Sequence, residues 1–316
     1  MSYAQFGLIE ATDFNNLVGG NPVTSSGKLN TVWATGGTNA GYGQTAVANV
    51  TVGGTVAATD WANLVNRTSN SASHQGTSIT SVTAPSAGGT VTYLSAIPTN
   101  LTTIYTSRLN AAAQGSTTSN TATYATTWSS ALTFTHTATF ANGDAARYFF
   151  NAGGQLAITC SHPSGTGINL LLNNLASNVG TVVLSSPTSG TVTIAGTSYN
   201  GITKVGGGGN SPTTSPNTGY FALTTSNATV FTQTASTGPS GYLSTFIRVL
   251  VRSNGTQGSN GDAGSVITIS TIWDEVPDGL TAAANSATTL TVRPPATTHI
   301  ANTWGAITLA GTSTGS

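Results

Sequence analysis

Apolar and polar positions alternate along this chain in short runs whose period changes part-way. Residues 9–18, Ile-Glu-Ala-Thr-Asp-Phe-Asn-Asn-Leu-Val, are echoed at 56–65 by Val-Ala-Ala-Thr-Asp-Trp-Ala-Asn-Leu-Val. In each, an aromatic followed three and four positions later by Leu-Val gives an apolar stripe at helical spacing, with Phe14 and Leu17 in the first and Trp61 and Leu64 in the second. Thr12 or Asp13, and Thr59 or Asp60, are the expected N-caps, because a short oxygen there accepts from free backbone N–H groups. Turn-rich sequence follows each, Gly19-Gly20 and Thr68-Ser-Asn-Ser. Two short amphipathic helices are therefore predicted, packed on one another or on a neighbour. A binding role for them requires Phe14 and Trp61 to be exposed. Ile97, Leu101, Ile104, Tyr105 and Leu109 predict a third helix over about 96–114.

From about residue 120 the period falls to two. Leu132-Thr-Phe-Thr-His-Thr-Ala-Thr-Phe alternates, with Leu132 and Phe134 on one face and the threonines on the other; His136 is assigned to the threonine face. Asn142-Gly143 then makes a turn and Asp144 caps a short helix anchored in the core by Tyr148, Phe149 and Phe150. Gly153-Gly154 supplies the left-handed backbone that ends it. Further strands are expected at 155–160, 179–184, 191–195, 289–293 and near 306–309, with a helix from Ile168. Phe246–Arg252 and Val266–Trp273 flank a turn-rich stretch and form a hairpin, and Gly/Pro-rich 206–218 is a long surface loop. The fold class is mainly β with a few short helices. A mixed α/β attachment region at 1–119 precedes a β-sandwich-like region at 120–316.

Composition changes this picture in one respect. Eight Lys+Arg and eight Asp+Glu make the chain 5% charged, against roughly 25% in ordinary soluble domains, and Thr with Ser supplies about 30%. Zero net charge without a basic stretch leaves no electrostatic reach for nucleic acid. No apolar run approaches the ~20 residues that span a bilayer, so no membrane partner is expected. The first residues, Met1-Ser-Tyr-Ala-Gln-Phe, lack the basic and apolar segments of a signal peptide, and a single cysteine, Cys160, fits a reducing cytoplasm. Charge keeps soluble proteins apart, so a surface this neutral is expected to be covered by neighbours. The few charges, notably Arg147, Arg248, Arg252, Asp144 and Asp274, should be paired or capping within the fold.

Candidate chemistry is sparse. His74, His136, His162 and His299 lack metal-motif company, and a Cys160–His162 nucleophile is generic, with Cys160 read as a small buried apolar residue. No nucleophile elbow or phosphate loop is present; no cofactor and no enzyme activity are expected. Asp274, Glu275 and Asp278 cluster near Asp262, and oxygen ligands on irregular backbone suit Ca²⁺, although a solvated turn explains them equally. Asp274 and Glu275 are also the local carboxylates a depolymerase would need. Thr133, Thr135, Thr137 and Thr139 line one strand face, with T-x-T again at 90–92, 191–193 and 289–291. Ice binding would need such arrays to repeat at a fixed period, which they do not, and Thr is a good strand residue in any case. Loop aromatics Tyr199, Tyr220 and Tyr242 offer an alternative function, a receptor- or glycan-binding module at a fibre tip.

The stretch Phe140-Ala-Asn-Gly-Asp-Ala-Ala-Arg-Tyr-Phe-Phe-Asn-Ala-Gly-Gly-Gln-Leu resembles virion structural proteins of tailed bacteriophages, especially long Thr/Gly-rich tail, baseplate, neck or fibre proteins of T4-like and marine phages. Tyr42-Gly-Gln, His74-Gln-Gly, the Ala-Thr-Asp helices and Ile300-x-x-x-Trp304-Gly look similar to that family too. The resemblance implies a virion component folded in the host cytoplasm. It would assemble with other virion proteins and as a homo-oligomer, a trimer or higher ring. It implies assembly and structural residues at Asp13, Phe14, Leu17, Asp60, Trp61, Leu64, Asp144, Arg147, Tyr148, Phe149, Phe150, Gly153 and Gly154, with the N-terminal helices docking on other subunits.

Overall fold

The computed structural model describes residues 10–89, 91, 95–237, 242–274 and 279–315. Glu275, Asp278, Thr90 and Thr92 lie outside the described residues. The chain is mainly β. Among the described residues thirteen strands form three antiparallel sheets, accompanied by six α-helices.

Strict alternation makes β2 (Leu132–Thr139) a half-buried strand. Leu132, Phe134, His136 and Ala138 point inward and the threonines outward. His136 therefore sits with Leu132 and Phe134, two residues on from Phe134, and not on the threonine face; its Nε2 lies 2.8 Å from Thr288 Oγ1. β10 (Phe246–Ser253) and β11 (Val266–Asp274) form the expected hairpin, and β11 pairs with β2 on its other side. With β8 (Thr213–Thr214), β9 (Ala228–Thr234) and β13 (Thr308–Gly315) they build a six-stranded sheet in the order β13-β2-β11-β10-β9-β8. The facing sheet runs β1-β12-β3-β4-β7, from β1 (Thr118–Tyr124), β3 (Gln155–Ser161), β4 (Thr181–Leu184), β7 (Ile202–Val205) and β12 (Ser286–Arg293). Leu156, Ile158, Val182 and Leu184 of one sheet meet Val249, Val251 and Ile269 of the other, which makes the pair a sandwich.

Both lateral openings are closed by polar ties. Ser313 Oγ donates to the Thr123 carbonyl where β13 abuts β1, and Lys204 Nζ of β7 donates to Gln233 Oε1 of β9. α6 (Ile168–Val179) lays its Leu171, Leu172 and Leu175 face against β3, β9 and β10, bridging the sheets. The hairpin β5 (Val192–Ile194) and β6 (Thr197–Tyr199) covers Ala157 and Val183 on the outside, forming a small second cluster with Ala111.

The N-terminal helices are α1 (Ala11–Val18), α2 (Leu29–Val32), α3 (Ala58–Gln75) and α4 (Ala96–Thr106). Their apolar residues join the same core cluster as the sandwich interior. α4 is shorter than the spacing predicts, since the chain turns at Thr106 before reaching Leu109. α3 is longer, running through Thr68-Ser-Asn-Ser. Thr68 Oγ1 folds back onto the Leu64 carbonyl at 2.8 Å and Ser71 is buried, so tertiary packing overrides weak propensity. The helix stops at Gly76, left-handed at φ +67°.

Among the described residues, the extended segments between these helices pair with no strand. Instead, side-chain amides act as substitute strand neighbours. Asn15 accepts from Val50 N–H at 2.8 Å and donates to its carbonyl at 2.7 Å. Asn30 does the same at Val47 (3.0 and 2.9 Å) and Asn100 at Thr80 (3.0 and 2.8 Å). These bonds satisfy backbone groups that would otherwise be costly beside the core.

Candidate functional site

The segments that carry the resemblance lie far apart in sequence, yet the fold brings them to one buried junction between helices and sandwich. At its centre is α5 (Gly143–Asn151), the helix of the Ala-Arg-Tyr-Phe-Phe-Asn stretch. Its N-cap is Asn142, whose Oδ1 accepts from Ala145 N–H at 2.8 Å. Asp144, expected as the cap, sits one residue inside the helix and binds Arg147 at 3.0 Å.

Arg147 is fully buried, and every guanidinium nitrogen has a partner. Nε and Nη2 donate to Asp144 Oδ1 (3.1 and 3.0 Å), Nη1 to the Ala40 carbonyl and Nη2 to the Thr35 carbonyl (both 2.9 Å). Asn151, one helical turn on, donates to the carbonyls of Ala40 (3.0 Å) and Gly41 (3.1 Å). Two side chains of one helix thus hold the 35–41 loop. A buried cation so saturated with acceptors is tolerable; an unpaired one is not.

Phe149 and Phe150 fill the core as expected. Phe150 stacks on Tyr220 at 4.2 Å, and Phe149 meets Phe140 at 5.3 Å and Trp304 at 6.3 Å. Tyr148 is no core anchor. It is half-buried, lies under the Arg147 guanidinium (4.8 Å) and presses on Gly43, where an added Cβ would come within 2.4 Å of its ring. Gly153 takes the left-handed turn at φ +89°, whereas Gly154 has another cause: a Cβ there would meet the Phe149 ring at 2.6 Å.

The other elements named with that stretch converge on the same place. Tyr42 OH donates to the Arg108 carbonyl and accepts from Gln75 Nε2, both at 2.8 Å. The His74 ring packs edge-on against Tyr42 at 5.2 Å, and its Nε2 lies 3.0 Å from the Ala152 carbonyl. A carbonyl only accepts, so Nε2 carries the proton. Gln44 exchanges two 2.9 Å hydrogen bonds with Ala301, and Thr303 Oγ1 donates to the Tyr42 carbonyl at 2.6 Å. The Tyr-Gly-Gln, His-Gln-Gly and Trp-Gly elements are therefore parts of one lock.

The paired helices meet beside it. Phe14 and Trp61 are buried and pack edge-to-face at 5.5 Å. This is the internal packing expected of them, and it rules out docking through these two rings, because each is the other's partner. Leu17 and Leu64 are buried as well. The caps lie two or three residues earlier than expected: Glu10 and Ala57 occupy the N-cap positions, and Asp13 and Asp60 reach back to their backbone N–H groups at 3.2 and 2.9 Å. The carboxylates at the third position still complement the positive helix end.

Burial drives titratable groups toward their neutral forms. It holds His74 down at about 4 and raises the Tyr42 and Tyr220 phenols. It also lowers His136 and His162, and it pushes the Cys160 thiol up to about 12. Cys160 packs against the core, and His162 is engaged instead with Ser286 (2.8 Å) and Asn169 (3.1 Å). Among the described residues no three His, Cys, Asp or Glu come together, and Asp262 Oδ2 is used by Ser259 N–H at 2.8 Å. Also among the described residues, no helix is long and apolar enough to cross a membrane.

Of the other charges, Arg248 lies over Phe246 at 4.5 Å, Asp274 is engaged within the fold, and Arg252 is exposed. The tyrosines considered as sugar platforms fare unevenly: Tyr220 and Tyr199 are buried and unavailable, and Tyr242 is half-buried. No protein-family model matches the chain, and no curated protein or solved structure is detectably similar to it.

Proposed function

We propose that this chain is a structural component of a tailed-phage virion, a fibre, collar, neck or baseplate-associated part that assembles through uncharged surfaces. One observation carries the assembly reading. On the outer face of the six-stranded sheet, β13 contributes Thr308, Ala310, Thr312 and Thr314, and β2 contributes Thr133, Thr135, Thr137 and Thr139. In register with them β11 adds Val266, Thr268, Ser270 and Ile272. None of these positions is charged. The two arginines of the same sheet face, Arg248 and Arg252, stand on the next strand, β10, opposite Ile272 and Thr268, so a neighbouring copy seated on β13, β2 and β11 covers no charged position and avoids the desolvation penalty that charged faces incur. The virion assignment itself is supported by the resemblance of the 140–156 stretch, whose residues the junction uses one by one.

The reading gives the chain no catalytic step. Antibody raised against the purified protein should decorate a discrete part of phage particles propagated on the host, seen by negative-stain microscopy. Particles that contain no such antigen would overturn the assignment.

A further inference from the structure

Beyond a structural role, we infer that the molecule carries a binding site for a neutral saccharide, in the open cleft above the junction. The cleft has a volume of about 330 Å³, inside the range of roughly 300–1,000 Å³ typical of small-molecule sites. Five separate parts of the chain line it: the 38–39 loop, Leu109, the turn after β4, the Phe221 turn and the 257–259 loop. No charged side chain is among them. An anionic or cationic ligand would lose its hydration there without gaining a partner.

What the cleft offers instead is one aromatic ring among amides and hydroxyls. A pyranose has an apolar C–H face and a rim of hydroxyls that both donate and accept. Phe221 is half-exposed and braced edge-on by buried Tyr220 at 5.0 Å. Around it stand Asn39, Thr188, Ser189, Gln257 and Ser259. The two amides are fixed in advance. Arg108 holds Asn39 by its carbonyl and Oδ1, both at 2.8 Å, and Gln257 Nε2 is anchored on the Tyr220 (3.1 Å) and Leu223 carbonyls. With Nε2 spent and Oε1 shut from solvent, Gln257 serves as wall, and the Asn39 Nδ2 and the Thr188, Ser189 and Ser259 hydroxyls are the groups left for a ligand; groups already ordered lose little entropy when a ligand arrives.

Two backbone features at the rim point the same way. Thr38, a β-branched residue, is held in left-handed backbone at φ +48°, a strained conformation of the kind that gathers at binding sites. Gly258, at φ +108°, lets its loop close on the aromatic, since a Cβ would sit 3.1 Å from the Phe221 ring.

The test uses the full chain on an immobilised panel of neutral hexose and N-acetylhexosamine oligosaccharides, with sialylated and sulfated versions of the same cores. Retention of neutral members is expected, with little dependence on salt because no ion pair forms. Ser189→Trp, at an exposed rim position, should fill the mouth and weaken binding by about tenfold or more while leaving the melting temperature unchanged. Phe221→Ser should weaken it similarly, and Ser189→Trp keeps the inference testable should that variant fold poorly. Retention of acidic glycans alone, of none, or of neutral glycans equally by Ser189→Trp would each overturn the site.

Discussion

Replacing Arg147 with Met removes the charge at the centre of the junction while keeping much of the side chain's bulk. Four hydrogen bonds disappear, two to Asp144 and one each to the Ala40 and Thr35 carbonyls. At about 1.5–3 kcal/mol for each charged hydrogen bond, a simple sum overshoots, because some acceptors keep other partners. Ala40 retains Asn151, and Asp144 retains Gly261 N–H at 3.3 Å together with 28% side-chain exposure. Thr35 is the acceptor that loses its donor outright. The expected loss is therefore about 3 kcal/mol, at the lower edge of the range for breaking a buried pair. Urea unfolding followed by tryptophan fluorescence reads it, since Trp304 packs on Phe149 within the junction. Arg147→Lys should recover little, because a point charge cannot reproduce the forked contacts to three acceptors. A loss below about 1 kcal/mol for Arg147→Met, or full recovery by Lys, would refute the account of α5 as the clamp on the 35–41 loop.

Three further perturbations follow from the same geometry. His74, with an ordinary value of 6.5 and held at about 4, stays neutral in the fold while the unfolded chain takes up a proton. Stability should therefore fall as pH drops from 6.5 toward 4, by up to about 1.4 kcal/mol per pH unit from this group, and His74→Gln should flatten the slope; an identical slope would count against it. Gly154→Ala should destabilise by about 1–3 kcal/mol because its Cβ meets the Phe149 ring, whereas Gly20→Ala, with open space around it, should be neutral; equal melting temperatures would contradict the contact. Cys160, with its thiol near 12, should react with a disulfide reagent at pH 8 roughly thirtyfold more slowly folded than unfolded, the scarcity of thiolate being partly offset by its greater nucleophilicity, and a fast native reaction would place it elsewhere.

What could be read from the sequence was whatever depended on local period. The alternation of β2, the β10–β11 hairpin and the Phe149-Phe150 anchor all follow from side-chain spacing, and the structure has them where spacing put them. Errors arose where a local signal competed with tertiary packing. Polar Thr68-Ser-Asn-Ser looked like a stop, yet α3 continues because its packed face and the Thr68 back-bond outweigh propensity. Asp144 and Asn142 are both good caps, and sequence alone does not say that Asp144 is needed by Arg147. The junction was the least legible part. Gln44 meets Ala301 across 257 positions and Arg147 meets Thr35 across 112, and no periodicity reports such pairings. The amide ladders at Val47, Val50 and Thr80 are invisible for the same reason: the donors sit on helices, and the segments they hold have no strand partner.

The assembly claim rests on the uncharged outer face of β13, β2 and β11, and sedimentation velocity tests it most directly. Wild-type protein should sediment as a trimer or larger ring at concentrations where Thr135→Lys/Thr312→Lys, altered at neighbouring positions of that face, runs as a folded monomer. A wild-type chain that stays monomeric over the whole accessible concentration range, or an oligomer indifferent to the two lysines, would contradict the account.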